Sequence, residues 1–142
     1  LREEYNLKIL TVTARPPLET EIGKKNLISF VEKGFDHIHV TPNHEVMRKY
    51  NKSGLIKKGS PYYGWLIAVY AVVVKVAIQN KINLIFFGEN GEIEYGGSTK
   101  NKDKAFFDID YIIKHYFEGD YNEITNDLKL KKDDLYWFSL NK

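Results

Sequence analysis

The sequence predicts an α/β fold, a parallel sheet with helices on both faces. Three observations carry that prediction. Short apolar runs recur along the chain, LKILTVTA at 7–14, FDHIHV at 35–40 and INLIFFG at 82–88. Segments with helix-like apolar spacing separate them, at 20–34, 44–54 and 65–80. The runs are rich in apolar and β-branched residues, the signature of strands buried beneath crossover helices.

LREEYN at 1–6 reads as the last turns of a helix. A doubly wound fold would place a strand and a loop before that helix, so the phosphate-binding turn is expected upstream of Leu1. The first residue is not Met, which fits a chain that begins partway through a larger protein. LKILTVTA is the first strand in the chain, and Pro16-Pro17 forces an extended exit from it. TEIGKKNLISFVEKG spaces Ile22, Leu27, Phe30 and Val31 for one helix face, with Thr20 as a cap candidate and Gly34 at the C-terminal cap. FDHIHV is the second strand and ends at Thr41-Pro42-Asn43. HEVMRKYNKSG at 44–54 reads as a helix that Gly54 terminates, and KKGSPYYG at 57–64 as a polar turn. WLIAVYAVVVKVAI at 65–78 is broken only by Lys75. It is shorter than the roughly 18–20 residues that span a bilayer, so a buried helix is expected. INLIFFG is the third strand.

Beyond residue 98 aromatic residues cluster, with helical periodicity at 105–117, a charged stretch and a terminal LYWFSL. A helical extension is expected there, packed on the sheet or covering the site. The chain thus divides into an α/β part, 1–99, and a helical extension of the same domain, 100–142.

A length of 142 residues suits one domain with one core. The 21 Lys and Arg against 19 Asp and Glu give +2, too balanced to predict nucleic-acid binding. The absence of Cys excludes disulfides and thiolate metal sites in this segment. LREEYN lacks the basic start and apolar core of a signal peptide, and a cytoplasmic protein is expected.

Right-handed crossovers would gather the strand ends Thr13-Ala14-Arg15, Thr41-Pro42-Asn43 and Gly88-Glu89-Asn90 on one edge, where open α/β sheets bind ligands. The stretch GENGEIEYGG at 88–97 carries more polar and glycine residues than a plain turn requires. Gly88 would let a ligand approach the backbone, and Glu89 and Asn90 would supply hydrogen-bonding groups. The same residues also make an ordinary Asn-Gly turn. Glu92 and Glu94 share a side of an extended segment. They suit Mg²⁺, an amine or acid–base work, or simply a solvated hairpin face. Arg15 could grip phosphate or carboxylate in a bidentate way, or lie on the surface. Lys24 and Lys25 near a helix start favour an anion, yet two adjacent lysines are also an ordinary wet face. His37, His39, His44 and His115 have no zinc spacing. P-loop, Gly-x-Ser-x-Gly and Gly-x-Gly-x-x-Gly fingerprints are absent.

As a set, LTVTARPPLETEIGKKNLISFVEKGFDHIHVTPN and FFGENGEIEYGG resemble the N-acetyl sugar amidotransferases, PP-loop ATP pyrophosphatase-type enzymes of surface-glycan and flagellin-glycan pathways, including the pseudaminic and legionaminic acid branches. The resemblance covers at least residues 7–99. It implies a Rossmann-like, adenine nucleotide alpha hydrolase-like fold, truncated at its N-terminus. It also implies conversion of an acetamido group to acetamidino through an adenylated intermediate. ATP and Mg are the implied cofactors, with Glu89 as a possible Mg ligand. The implied partners are an acetamido sugar or sugar nucleotide and a glutaminase subunit that supplies ammonia. No membrane or nucleic acid is expected.

Carried onto this chain, the resemblance makes Glu89, Asn90 and Glu94 catalytic candidates. It puts Thr11, Thr13, Arg15 and Gly88 at the nucleotide, and Asn26, Asn43, Glu92, Tyr95, Gly96 and Gly97 at the substrate. The family's Ser-Gly-Gly-x-Asp-Ser pyrophosphate loop is absent from these residues, so the isolated segment is expected to be inactive. Another PP-loop chemistry, tRNA-modifying or amide-forming, is an alternative. A non-catalytic α/β module that binds a nucleotide or a protein is a second.

Overall fold

The computed structural model describes residues 1–88, 94, 100, 108–119 and 121–140. A short helix α1, Arg2–Tyr5, precedes strand β1, Leu10–Ala14. Strand β2, Asp36–Val40, pairs with β1 in parallel, from Leu10 opposite Asp36 to Ala14 opposite Val40. Two parallel strands need a crossover, and helix α2, Glu21–Glu32, supplies it. Thr20 opens α2 by accepting from the Gly23 N–H at 3.0 Å, and Gly34 follows it at φ +79°, where a side chain would be strained.

Helices α3, His44–Lys58, and α4, Tyr63–Gln79, follow β2. Asn43 caps α3 through Oδ1, which accepts from the N–H groups of Glu45 and Val46. Leu10, Val12 and Ala14 of β1 pack with Val72 and Val76 of α4, while α2 sends Phe30 against His37 on the other face of the strand pair. The result is a mixed α/β structure with a two-stranded parallel sheet and a majority of helix.

Two expectations are corrected. Gly54 does not terminate α3, which runs on to Lys58 and ends at Gly59 with φ +69°. Gly54 is instead buried mid-helix, where α4 leaves no room for a side chain. The run at 82–87 forms no strand ladder. Its alternation survives, with Ile85 and Phe87 half-buried and Leu84 and Phe86 exposed, but a ladder needs a neighbouring backbone, and among the described residues β1 pairs only with β2.

The described part of the C-terminal region packs mainly on α3 and α4, not on the sheet. It comprises α5, Ile109–His115, α6, Asn122–Asp127, and a 3-10 helix, Lys132–Phe138. Phe117, Tyr121, Ile124, Phe138 and Leu140 share one core with Tyr50, Tyr63 and Ile67. The Tyr50 and Phe138 rings stack at 5.5 Å. Each such side chain contributes about 1.5–3 kcal/mol on burial, so this interface is the main apolar store of the fold. Polar contacts fix its register. Tyr63 donates its hydroxyl to the Phe117 carbonyl at 2.9 Å, and the Lys58 ammonium reaches the carbonyls of Phe117 and Glu118. Among the described C-terminal residues, Trp137 also packs against the cluster formed by Ala14, Val72 and Val76. No helix among the described residues is long and apolar enough to cross a membrane.

Candidate functional site at the carboxyl ends of the strands

A cleft of about 470 Å³ opens at the carboxyl ends of β1 and β2. The exit from β1 supplies Arg15, Pro16, Pro17 and Glu19, and α2 supplies Lys24. The exit from β2 supplies Thr41 and Pro42, while His44 and the buried Met47 come from α3. The parallel pairing puts both exits on one edge, and each leads directly into a helix N-terminus. Two helix dipoles therefore direct their positive ends toward this edge.

Arg15 is the strongest anion-binding group here. One N–H of its guanidinium meets the Glu19 carboxylate at 3.1 Å, and the side chain is 48% exposed against 18% for Glu19. Most of its five donors are thus free to face the cleft. Pro16 and Pro17 limit the backbone freedom of the loop that carries this pair. Lys24 pairs with Glu21 at 2.8 Å on the exposed start of α2. The cleft combines the Arg15 guanidinium and two helix N-termini with an apolar floor at Met47, which suits an anionic ligand of partly apolar character.

The sequence-predicted residues divide sharply. Arg15 lies in the cleft. Thr13 is half-buried on β1 and Gly88 is exposed, and neither lines the cleft. Thr11 sits lower on the strand, where it donates to the Asp36 carbonyl at 2.8 Å and meets His37 Nδ1 at 2.8 Å. With its own hydrogen spent on Asp36, Thr11 accepts from His37, so Nδ1 carries a ring hydrogen. Burial holds the His37 pKa below its ordinary value, with His39 adding to the effect. Thr11 thus bonds across the strand pair and does not line the cleft.

Asn26 is exposed on α2 and does not line the cleft. Asn43 adjoins it but commits its side-chain oxygen to capping α3. Glu94 is exposed. Glu89, Asn90, Glu92, Tyr95, Gly96 and Gly97 lie outside the described residues, as does any Mg site built on Glu89. Among the described residues no group of three His, Asp or Glu is arranged for a metal ion.

Glu19, His44 and Met47 were not picked out from sequence, and Thr41 and Pro42 only as part of the strand-end edge. Arg15 and Glu19 are four residues apart across Pro-Pro, a spacing that signals nothing until the loop is folded. Thr41 and His44 flank a cap residue, Asn43, and that local pattern alone would have pointed to the cleft rim. Comparison with protein-family models and with curated proteins returns no match.

Proposed function

We propose that these residues form part of an ATP-dependent amidotransferase, Rossmann-like and cytoplasmic, that converts a sugar acetamido group to acetamidino in surface-glycan or flagellin-glycan biosynthesis. The observation that supports this reading best is the cleft at the carboxyl ends of β1 and β2. There Arg15 and the N-termini of α2 and α3 converge beside the chain exit that leads to the GENGEIEYGG stretch by way of α3 and α4.

The chemistry needs an anion-holding edge. An amide oxygen is a poor leaving group, and ATP supplies AMP in its place when that oxygen takes the α-phosphoryl group and pyrophosphate departs. Ammonia then adds at the former amide carbon, loses a proton, and AMP leaves with the oxygen. In this reading Arg15 orients phosphate oxygens and offsets charge that develops on them. Glu89, Asn90 and Glu94 attend the reacting centre, with Mg²⁺ a candidate at Glu89, and Tyr95 to Gly97 contact the sugar.

The test uses a polypeptide in which a Ser-Gly-Gly-x-Asp-Ser loop precedes these residues, and supplies Mg-ATP, ammonium and an acetamido sugar. Mass spectrometry follows replacement of the acetamido oxygen by NH, with AMP formed in step. Both products together support the proposal. AMP without a changed sugar keeps the ATP chemistry and rejects the acceptor, and neither product from folded protein rejects the enzyme reading.

A further inference from the structure

Helix α3 buries one side and leaves the other to solvent. Val46, Met47, Tyr50 and Gly54 are its buried residues, packed with α4 and the C-terminal region. The helical period gathers Glu45, Arg48, Lys49, Lys52, Leu55 and Ile56 on the opposite side, and all six are exposed. The first four are charged and the last two aliphatic, with Leu55 54% and Ile56 73% exposed. Arg48 neutralises the one acid, Glu45, which it meets at 2.8 Å. Among the described residues Lys49 and Lys52 have no ion pair. On the flank, the α6 acids Glu123 and Asp127 are both held by Lys57. The outer side of α3 is therefore a strip of uncompensated positive charge that ends in an exposed aliphatic pair.

We propose that this side of α3 docks the protein on a bilayer surface that carries anionic phospholipid. Lys49 and Lys52, with Arg48 beside them, lie over the lipid phosphates, while Leu55 and Ile56 enter the headgroup layer. The turn after α3 brings Tyr62, 48% exposed, to the same end of the helix. A phenol there suits the boundary between hydrocarbon and water.

Charge and packing both favour this partner. The cations complement lipid phosphate, and the aliphatic pair gains from a bilayer what a nucleic acid does not offer, since neither side chain has a ring on which a base could stack. A protein that wraps a basic amphipathic helix finds the apolar side of α3 already taken by α4 and the C-terminal region. What is left is a one-sided contact, which a flat surface meets. Such docking is peripheral, as no helix among the described residues is long and apolar enough to cross a membrane. It departs from the expectation that no membrane is involved, and it does not depend on the amidotransferase reading.

Vesicle flotation of the full 142-residue chain is the test. Vesicles with about one-third phosphatidylglycerol should bind the chain at least about tenfold more tightly than phosphatidylcholine alone, and high salt should release it. Lys49→Gln combined with Lys52→Gln should weaken binding to the mixed vesicles about thirtyfold, and Leu55→Ser combined with Ile56→Ser about tenfold. All four positions are exposed, so thermal midpoints of both variants should match the parent. Absent binding, equal binding to the two kinds of vesicle, or binding indifferent to the lysine pair overturns the proposal. Binding lost in Arg15→Ala but kept in the lysine variant also overturns it, by moving the lipid phosphate to the cleft. A labelled single-stranded RNA that binds more tightly than the vesicles, and without regard to Leu55 and Ile56, overturns it in favour of a nucleic acid.

Discussion

Gly54 of α3 lies directly against Tyr63, the first residue of α4. A methyl group built on Gly54 would stand 2.2 Å from Tyr63 Cβ and 2.8 Å from its Cγ. The contact is reciprocated by Gly64, where a methyl would stand 2.7 Å from Tyr50 Cβ and 2.9 Å from the Met47 carbonyl. Asn51 completes the crossing by accepting from the Gly64 N–H at 2.8 Å, so α3 provides a cap for α4. This close approach carries the Tyr63 hydroxyl to the Phe117 carbonyl and seats the C-terminal region.

Gly54→Ala is expected to lower stability by about 3 kcal/mol, because both partners of the clash are backbone-proximal atoms that cannot swing away. Gly88→Ala, with nothing within 4 Å of the added carbon, should stay within about 0.5 kcal/mol of the parent. Urea melts of the two variants decide it. Equal midpoints would mean that the helices separate at little cost.

Tyr50→Phe tests the link between α3 and α6. Thr125 donates to the Tyr121 carbonyl, so the 2.6 Å contact between Tyr50 and Thr125 has the phenol as donor. Its loss should lower stability by about 1 kcal/mol while the stacking on Phe138 persists. Burial pushes the Tyr50 pKa up to about 12. A raised acid pKa favours the neutral form in the fold. That stability is complete below pH 10 and is lost as pH rises toward 12. Absorbance of phenolate against pH should show a component near pH 12 in the parent chain that Tyr50→Phe lacks.

His37 sets a sensitivity at the acid side. The neutral ring belongs to the fold, because burial depresses its pKa from 6.5 and the Nε2 atom is buried without a partner. The unfolded chain binds that proton at higher pH than the folded one. Stability from this residue is therefore full above pH 6.5 and declines as pH falls through the folded value. Comparing urea midpoints at about pH 7.5 and about pH 5.5, His37→Leu should show a smaller drop than the parent. An unchanged drop would place the acid sensitivity elsewhere.

Arg15 and Glu19 offer opposite perturbations of the cleft. In the loop-bearing polypeptide, Arg15→Ala should weaken ATP binding about tenfold or more, and Glu19→Gln should leave it equal or tighter by freeing the guanidinium. Both are surface-loop changes, so thermal midpoints should hold. Calorimetric titration with ATP separates the cases, and equal affinity in Arg15→Ala removes that residue from the nucleotide.

Much of the scaffold could be read locally. Thr20 and Asn43 announce the starts of α2 and α3, since a cap is an interaction among neighbours in the chain. β1 and β2 follow from their β-branched and apolar content, and Arg15 was legible because it stands at a strand exit. The hydrogen bonds of Thr11 were not legible, because its partners, Asp36 and His37, arrive from a different strand. The GENGEIEYGG residues beyond Gly88, apart from Glu94, lie outside the described structure, so the fold adds nothing to what their sequence suggests.

The sequence by itself determined where helices begin, which runs favour extended backbone, and that one edge would collect Arg15 and two helix starts. Those are matters of local hydrogen bonding, φ preference and side-chain period. Tertiary structure alone decided that α3 passes through Gly54, that 82–87 has no ladder, and that the C-terminal aromatics join α3 and α4. A glycine can end a helix or admit a neighbouring one, and only the approach of Tyr63 selects between them. An extended run becomes a strand only when another backbone stands beside it, and beside residues 82–87 there is a groove.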